Sequence, residues 1–108
     1  MLQYEVAQKL YEEMKEKAEK NGKEGIFRLF LKNAADYAQN RTEWAFMDQA
    51  EQMKDDRSRS VKHDAFMSML GAMCRSLGIE GIDEIMPDRK TKGDFACYIA
   101  LFLALEQR

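Results

Sequence analysis

Apolar residues recur along the chain at intervals of three and four, which is the spacing of one face of an α-helix. The first such stretch runs from Leu2 to Lys20, and its apolar stripe consists of Val6, Leu10, Met14 and Ala18. A second stretch spans Lys23 to Gln39, after Asn21-Gly22, a pair suited to a helix end. Its inward face consists of Phe27, Phe30, Leu31, Ala34, Tyr37 and Ala38. The alternation of apolar and polar residues that marks β-strands is missing. The pattern therefore predicts an all-α fold.

The pattern is ambiguous in the middle of the chain. Between Asn40 and Thr42 the apolar residues no longer follow the helical spacing of the preceding stretch. Thr42 is a suitable N-cap for a third helix that reaches about Lys54. One long bent helix and two separate helices both remain compatible with this stretch. The charged run from Asp55 to Arg59 predicts a hinge, and Ser60 then caps a fourth helix over Val61–Leu77.

A glycine and a proline mark the boundaries that follow. Gly78 stands where a helix end takes a left-handed residue. A single turn capped by Asp83 is expected next, and Pro87 ends it because proline disfavours a helical residue before it. Residues 88–93 are expected to form a loop. Either Thr91 or Asp94 then caps the terminal helix.

The terminal helix, Asp94 to Arg108, is the most apolar element of the chain. Every residue from Phe95 to Leu105 is apolar or aromatic, so a helix here must be covered on all sides. The run is roughly 16 Å long, too short to cross a bilayer. The rest of the chain, or a second copy, is therefore expected to cover it. We predict one domain over residues 1–108: a bundle of four to six helices with a central hydrophobic C-terminal helix.

The composition fits one soluble domain. The chain has 108 residues, 45% hydrophobic and 33% charged, with a net charge of -2, which argues against a strong nucleic-acid or membrane-surface binder. Cys74 and Cys97 lie in apolar helical stretches, which favours buried, reduced thiols over the alternative of a disulfide between them. The amphipathic N-terminal segment does not look like a signal peptide, so a cytoplasmic location and no membrane partner are expected.

Catalytic, cofactor and metal motifs are missing from the sequence. His63 is the only histidine, and its neighbours Lys62 and Asp64 do not share its helical face. We expect this histidine to be exposed, and we expect no metal and no cofactor. The serines form no nucleophile motif, and apolar surroundings would make the two cysteines poor nucleophiles. The sequence therefore favours a protein that is not an enzyme.

Two short basic segments are candidates for phosphate binding. They occupy residues 57–62 and 89–92. Their cationic side chains are Arg57, Arg59, Lys62, Arg89, Lys90 and Lys92. If the two segments are adjacent in space, these side chains can contact phosphates. A nucleic-acid-associated regulator is therefore the alternative function, although the acidic connector after Gly78 does not suit a helix-turn-helix.

Methionine is frequent, with eight residues, and this residue lines both irregular cores and adaptable contact surfaces. Trp44 and Met67 lie off the main apolar stripes. With Met47 they are the candidate protein contacts. The leading expectation is a non-enzymatic protein–protein interaction or regulatory protein that forms a homodimer. The chain resembles small all-helical bacterial proteins in its general character, but it shares no specific motif with a known family.

Overall fold

Five helices and no strand are found over residues 2–108, the part of the chain that the computed structural model describes. The helices are α1 (Tyr4–Lys20), α2 (Glu24–Ala45), α3 (Gln49–Leu77), α4 (Ile82–Ile85) and α5 (Arg89–Glu106). The predicted all-α bundle is confirmed. The boundaries at Gly22 and Gly78 are also confirmed, since both glycines have a positive φ, of 67° and 68°.

The break between α2 and α3 lies later than predicted. Helix α2 continues through residues 40–42, where Thr42 donates its hydroxyl to the Ala38 carbonyl at 3.1 Å. The chain turns at residues 46–48, and Asp48 caps α3. The Asp48 carboxylate accepts from the Glu51 amide at 2.9 Å, and the Glu51 carboxylate accepts from the Asp48 amide at 3.4 Å. This reciprocal capping box stabilises the start of α3, so Thr42 is not a cap.

The predicted hinge at residues 55–59 is also wrong, because α3 passes through it without interruption. Asp56 and Arg59 pair one helical turn apart at 3.2 Å, which is a favourable spacing within a helix. Ser60 lies inside α3 and not at its start. Charged residues are compatible with a helix when they stay out of the core and pair at helical spacing, and none of residues 55–59 is buried.

Helix α5 begins earlier than predicted. Asp88 is its N-cap: the carboxylate accepts from the Thr91 backbone amide at 2.8 Å and from the Thr91 hydroxyl at 3.1 Å. These hydrogen bonds lower the pKa of Asp88 below its ordinary value. Residues 89–93 are therefore the first turn of α5 and not a loop, and neither Thr91 nor Asp94 is the cap.

The core lies where α1, α2, α3 and α5 meet. Its largest fully buried side chains come from all four helices and from the connector before α5. They are Met14, Phe30, Phe66, Leu70, Met73, Met86, Phe95 and Ile99. Leu10, Met14 and Ala18 of the first predicted stripe belong to this single cluster, whereas Val6 is 36% exposed and lies outside it.

Helix α5 packs into the core against α1, α2 and α3, and each of those helices likewise contacts the other three. It buries Phe95, Ala96, Ile99 and Phe102. The expectation that the chain covers it on all sides is not met, because Leu101 and Leu105 are each 44% exposed. Among residues 2–108 no helix has both the length and the apolar character that crossing a bilayer requires.

Helices α2 and α3 extend beyond the core as a helical hairpin. We call its outer part, residues 41–60, the arm. No residue between Asn40 and Phe66 is buried, whereas both of these residues are. Phe46 and Met53 on the arm are 88% and 76% exposed. The molecule measures 46 × 32 × 25 Å.

Candidate functional site: a basic cleft at the base of the arm

A cleft of about 380 Å³ lies between α2, α3 and the first turn of α5. It is lined by Tyr37, Arg41, Asp56, Arg59, Ser60, His63, Arg89 and Lys90. Four of these side chains are cationic and one is a carboxylate, so we call it the basic cleft. Its volume falls within the range of small-molecule sites, about 300–1,000 Å³.

A row of stacked aromatic rings positions Tyr37 at the inner wall of the cleft. The ring of Phe30 in the core stacks on Phe66 at 5.9 Å, and Phe66 stacks on Tyr37 at 5.4 Å with the planes 8° apart. Tyr37 then meets the imidazole of His63 edge-on at 5.3 Å. Because the row begins at fully buried rings, the tyrosine and histidine at its end are held by the core.

Hydrogen bonds across the cleft fix the protonation of His63. Arg89 donates its Nε–H to His63 Nε2 at 2.8 Å, so that nitrogen carries no proton. The proton of the neutral ring is therefore on Nδ1, which lies 2.7 Å from the Tyr37 hydroxyl oxygen and donates to it. Burial, together with the charge of Arg89, lowers the pKa of His63 below its ordinary value. At neutral pH the histidine is uncharged and both ring nitrogens are occupied.

Arg59 is held at the outer wall of the cleft by two contacts. Its guanidinium pairs with Asp56 at 3.2 Å and lies over the ring of Trp44, 4.3 Å from the ring centroid. Stacking of a guanidinium on an aromatic face restricts its orientation. The Nε–H of Arg59 is buried and has no acceptor among residues 2–108.

Arg41 reaches the cleft across Gly93 of α5. Its guanidinium lies 3.4 Å from the Asp94 carboxylate. A Cβ atom at position 93 would lie 2.8 Å from Arg41 Nη1 and 3.1 Å from the Tyr37 hydroxyl. Glycine is therefore required at this point for α5 to approach both groups closely.

The charge of the cleft remains positive when its surroundings are included. Two carboxylates outside the lining set pair with its arginines: Asp64 with Arg89 at 2.9 Å, and Asp94 with Arg41. With Asp56 they make three carboxylates against four cations. Lys90 is exposed and forms no ion pair with any residue in the described part of the chain.

Three of the six predicted phosphate contacts come together here. Arg59 from the first basic segment meets Arg89 and Lys90 from the second. The other three lie elsewhere. Arg57 is exposed outside the cleft, Lys62 pairs with Asp36 at 3.5 Å, and Lys92 pairs with Asp83 at 3.7 Å.

Sequence reasoning missed Arg41, Tyr37 and His63. Arg41 was assigned to a helix break and Tyr37 to the apolar face of α2. His63 was expected to be exposed, which is wrong, since it is half-buried and bonded through both nitrogens. Tyr37, Arg41 and Trp44 recur at helical spacing on α2 and would have indicated a shared face.

The candidate protein contacts do not form one surface. Trp44 and Met47 are half-buried at the outer end of α2. Met67 is half-buried against the core on α3, where it lines a separate cavity of about 460 Å³ next to α4. The exposed apolar residues of the arm are Phe46 and Met53 instead.

Both cysteines are free thiols, but they differ in burial. Cys74 is buried as predicted, and burial raises its pKa to about 11. Cys97 is exposed, which the apolar run around it did not indicate. It lies on the uncovered side of α5, with its sulfur 3.5 Å from Arg41 Nη1.

Within residues 2–108 the structure contains no group of three or more histidine, cysteine, aspartate or glutamate side chains placed to hold a metal ion. No protein-family model, curated protein or solved structure matches the chain.

Proposed function

We propose that this chain is a non-enzymatic regulatory protein whose basic cleft binds the phosphate group of a partner molecule. One observation supports this most strongly: Arg59 and Arg89, thirty residues apart in sequence, line one cleft together with Arg41 and Lys90. Arginine presents several donors in a planar arrangement that suits phosphate oxygens. A nucleic acid is one source of such a group, as the basic segments suggested.

Binding without bond chemistry is favoured by the state of the polar groups in the cleft. Both nitrogens of His63 are hydrogen-bonded, and its lowered pKa makes it a weak base. The Ser60 hydroxyl donates no hydrogen bond to a base among residues 2–108, so it lacks the activation that a nucleophile needs.

Trp44 provides a direct test, because it is the single tryptophan and Arg59 lies over its ring. Inorganic pyrophosphate at low salt should change the tryptophan fluorescence and give a saturable calorimetric signal. Arg59→Gln and Arg89→Gln should each weaken binding by about tenfold, since a hydrogen bond to a charged group contributes about 1.5–3 kcal/mol.

Arg28→Gln is the matched control, since Arg28 is exposed on α2 and lies outside the cleft. Its affinity for pyrophosphate should equal that of the wild type. An absence of binding at low salt would overturn the proposal, and so would equal losses in the control and in the two cleft variants.

We propose self-association as a second function, supported by the two exposed apolar residues of the arm, Phe46 and Met53. A second copy of the chain would cover both, and Trp44 and Met47 lie at the same end of α2. Large apolar side chains that are this exposed are candidates for burial in a protein contact.

Sedimentation equilibrium tests this second proposal. Phe46→Ser with Met53→Ser should convert a dimer to a monomer. The control Leu29→Ser, which changes a residue 58% exposed on the other half of α2, should leave the dimer intact. A wild-type chain that stays monomeric at high concentration would exclude self-association.

A further inference from the structure

The Tyr37 hydroxyl is a buried donor with no protein acceptor. Its oxygen receives the Nδ1–H of His63, as the Arg89 hydrogen bond requires, so its own hydrogen must be donated elsewhere. No other hydrogen bond of this hydroxyl is formed within residues 2–108. Tyr37 is only 5% exposed and lines the basic cleft. An unpaired buried donor is costly, so a ligand that accepts its hydrogen is favoured.

The ligand group must offer several acceptors in a small volume. Beside the Tyr37 hydroxyl, the cleft presents the donors of Arg41, Arg59, Arg89 and Lys90. A phosphate monoester has three terminal oxygens and close to two negative charges at pH 7. A backbone phosphodiester has two such oxygens and one charge. The monoester therefore uses more of the available donors.

The surroundings of the cleft do not suit an extended polyanion. Asp56, Asp64 and Asp94 surround the cationic centre, and a nucleic-acid backbone that continued past it would meet these carboxylates. Binding along a backbone needs a continuous basic stripe. Lys62 and Lys92, which could extend the stripe, pair with carboxylates elsewhere.

We propose that the basic cleft binds the terminal phosphate of a phosphate monoester, with Tyr37 donating its hydroxyl hydrogen to one phosphate oxygen. This inference rests on the proposed function and adds the ligand class to it. Glycerol phosphate and the 5′-phosphate of a short oligonucleotide share this chemistry, and they represent a small metabolite and a nucleic-acid end.

Tyr37→Phe tests the assignment, because it removes the hydroxyl and keeps the ring that stacks on Phe66. The affinity for glycerol phosphate, measured by calorimetry, should fall by about tenfold, with the helical circular dichroism unchanged. Tyr11→Phe is the control: this buried hydroxyl donates to Glu106 at 3.0 Å, away from the cleft, and its loss should leave the affinity unchanged. Equal affinity in Tyr37→Phe and wild type would overturn the inference.

A matched oligonucleotide pair separates the phosphate monoester from the backbone. The same single strand is titrated with a 5′-phosphate and with a 5′-hydroxyl end. Tighter binding of the 5′-phosphate strand supports a nucleic-acid end as the source of the phosphate. If glycerol phosphate binds and neither strand does, the source is a small molecule. Equal binding of both strands would overturn the inference in favour of backbone recognition.

The two proposals fail in different ways. If Arg59→Gln weakens pyrophosphate binding while Tyr37→Phe does not affect glycerol phosphate, the phosphate site stands and the monoester assignment is wrong. If none of these phosphate compounds binds the wild-type protein, both are wrong.

Discussion

Arg89 on α5 and His63 on α3 are joined by a hydrogen bond of 2.8 Å from the arginine Nε to the histidine Nε2. Since arginine remains protonated at any pH that a folded protein tolerates, this bond forms only when Nε2 is free of a proton. The same contact therefore orients the arginine at the mouth of the basic cleft and keeps the imidazole neutral.

The stability of the protein should depend on the titration of His63. The pKa of His63 is lowered on folding from its ordinary value of 6.5, by burial first and by Arg89 second, with Asp64 opposing. As the pH falls below about 6.5, the unfolded chain takes up a proton that the folded chain still excludes. The contribution of neutral His63 to stability is complete above this pH and is lost on acidification through the folded pKa.

Urea unfolding of wild type and His63→Asn across this pH range measures the effect. The difference in unfolding free energy, wild type minus variant, should decrease as the pH is lowered. Because the other titrating groups are common to both proteins, their contributions cancel. A difference that stays constant or grows in acid would contradict the proposed role of the histidine.

Phe66 should be far more important to stability than Phe46. Phe66 is fully buried and stacks between Phe30 and Tyr37, so Phe66→Ala should lower the unfolding free energy by about 3–5 kcal/mol. Phe46 is 88% exposed in the single chain, and at protein concentrations low enough to keep the protein monomeric Phe46→Ala should change the unfolding free energy by no more than about 0.5 kcal/mol. Thermal or urea denaturation of the two variants compares them, and similar losses would show that the arm is packed in solution.

Gly93→Ala should impair the basic cleft without unfolding the bundle. The new methyl group would lie 2.8 Å from the end of the Arg41 side chain, which is flexible and can move away, so the fold should persist. The affinity for pyrophosphate should fall because Arg41 leaves its position and because the methyl group also crowds the Tyr37 hydroxyl, 3.1 Å away. In Gly25→Ala, where no atom lies within 4 Å of the new Cβ, the affinity should be unchanged. Unaltered binding in Gly93→Ala would exclude Arg41 from the site.

Asp48→Ala should destabilise the start of α3. It removes the side chain that accepts from the Glu51 amide, and the loss of an N-cap costs about 1 kcal/mol. Asp48→Asn should stay close to wild type, because asparagine caps about as well. Hydrogen exchange at the Glu51 and Gln52 amides, together with urea unfolding, distinguishes the two variants. Faster exchange in both would mean that charge, and not the capping hydrogen bond, is decisive.

The fold class could be predicted from sequence because helical periodicity is a local property. The stripe of Phe66, Met69, Leu70 and Met73 identifies the inner part of α3 without any knowledge of its neighbours. The arm could not be predicted in the same way. Its residues have no core to face, so the pattern between Asn40 and Ser60 carries no burial signal and was interpreted as breaks.

The basic cleft was partly predictable. Charge clustering in sequence indicated Arg59, Arg89 and Lys90, but it could not separate them from Lys62 and Lys92, which point to other partners. Tyr37 was assigned to the core because it lies in phase with the apolar residues of α2. Its ring does pack on the core residue Phe66, but its hydroxyl lies at the basic cleft.

The sequence by itself determined that the chain forms amphipathic helices and that Gly22 and Gly78 end two of them. It also determined that the last helix packs into the core. Only the tertiary structure decided that α2 and α3 extend as an arm and that three separate segments meet in a cationic cleft. The physical reason is that helix formation depends on residues three and four apart. The hydrogen bond between Arg89 and His63 depends instead on how two helices pack. The positions of these two residues in the sequence do not predict that their side chains meet.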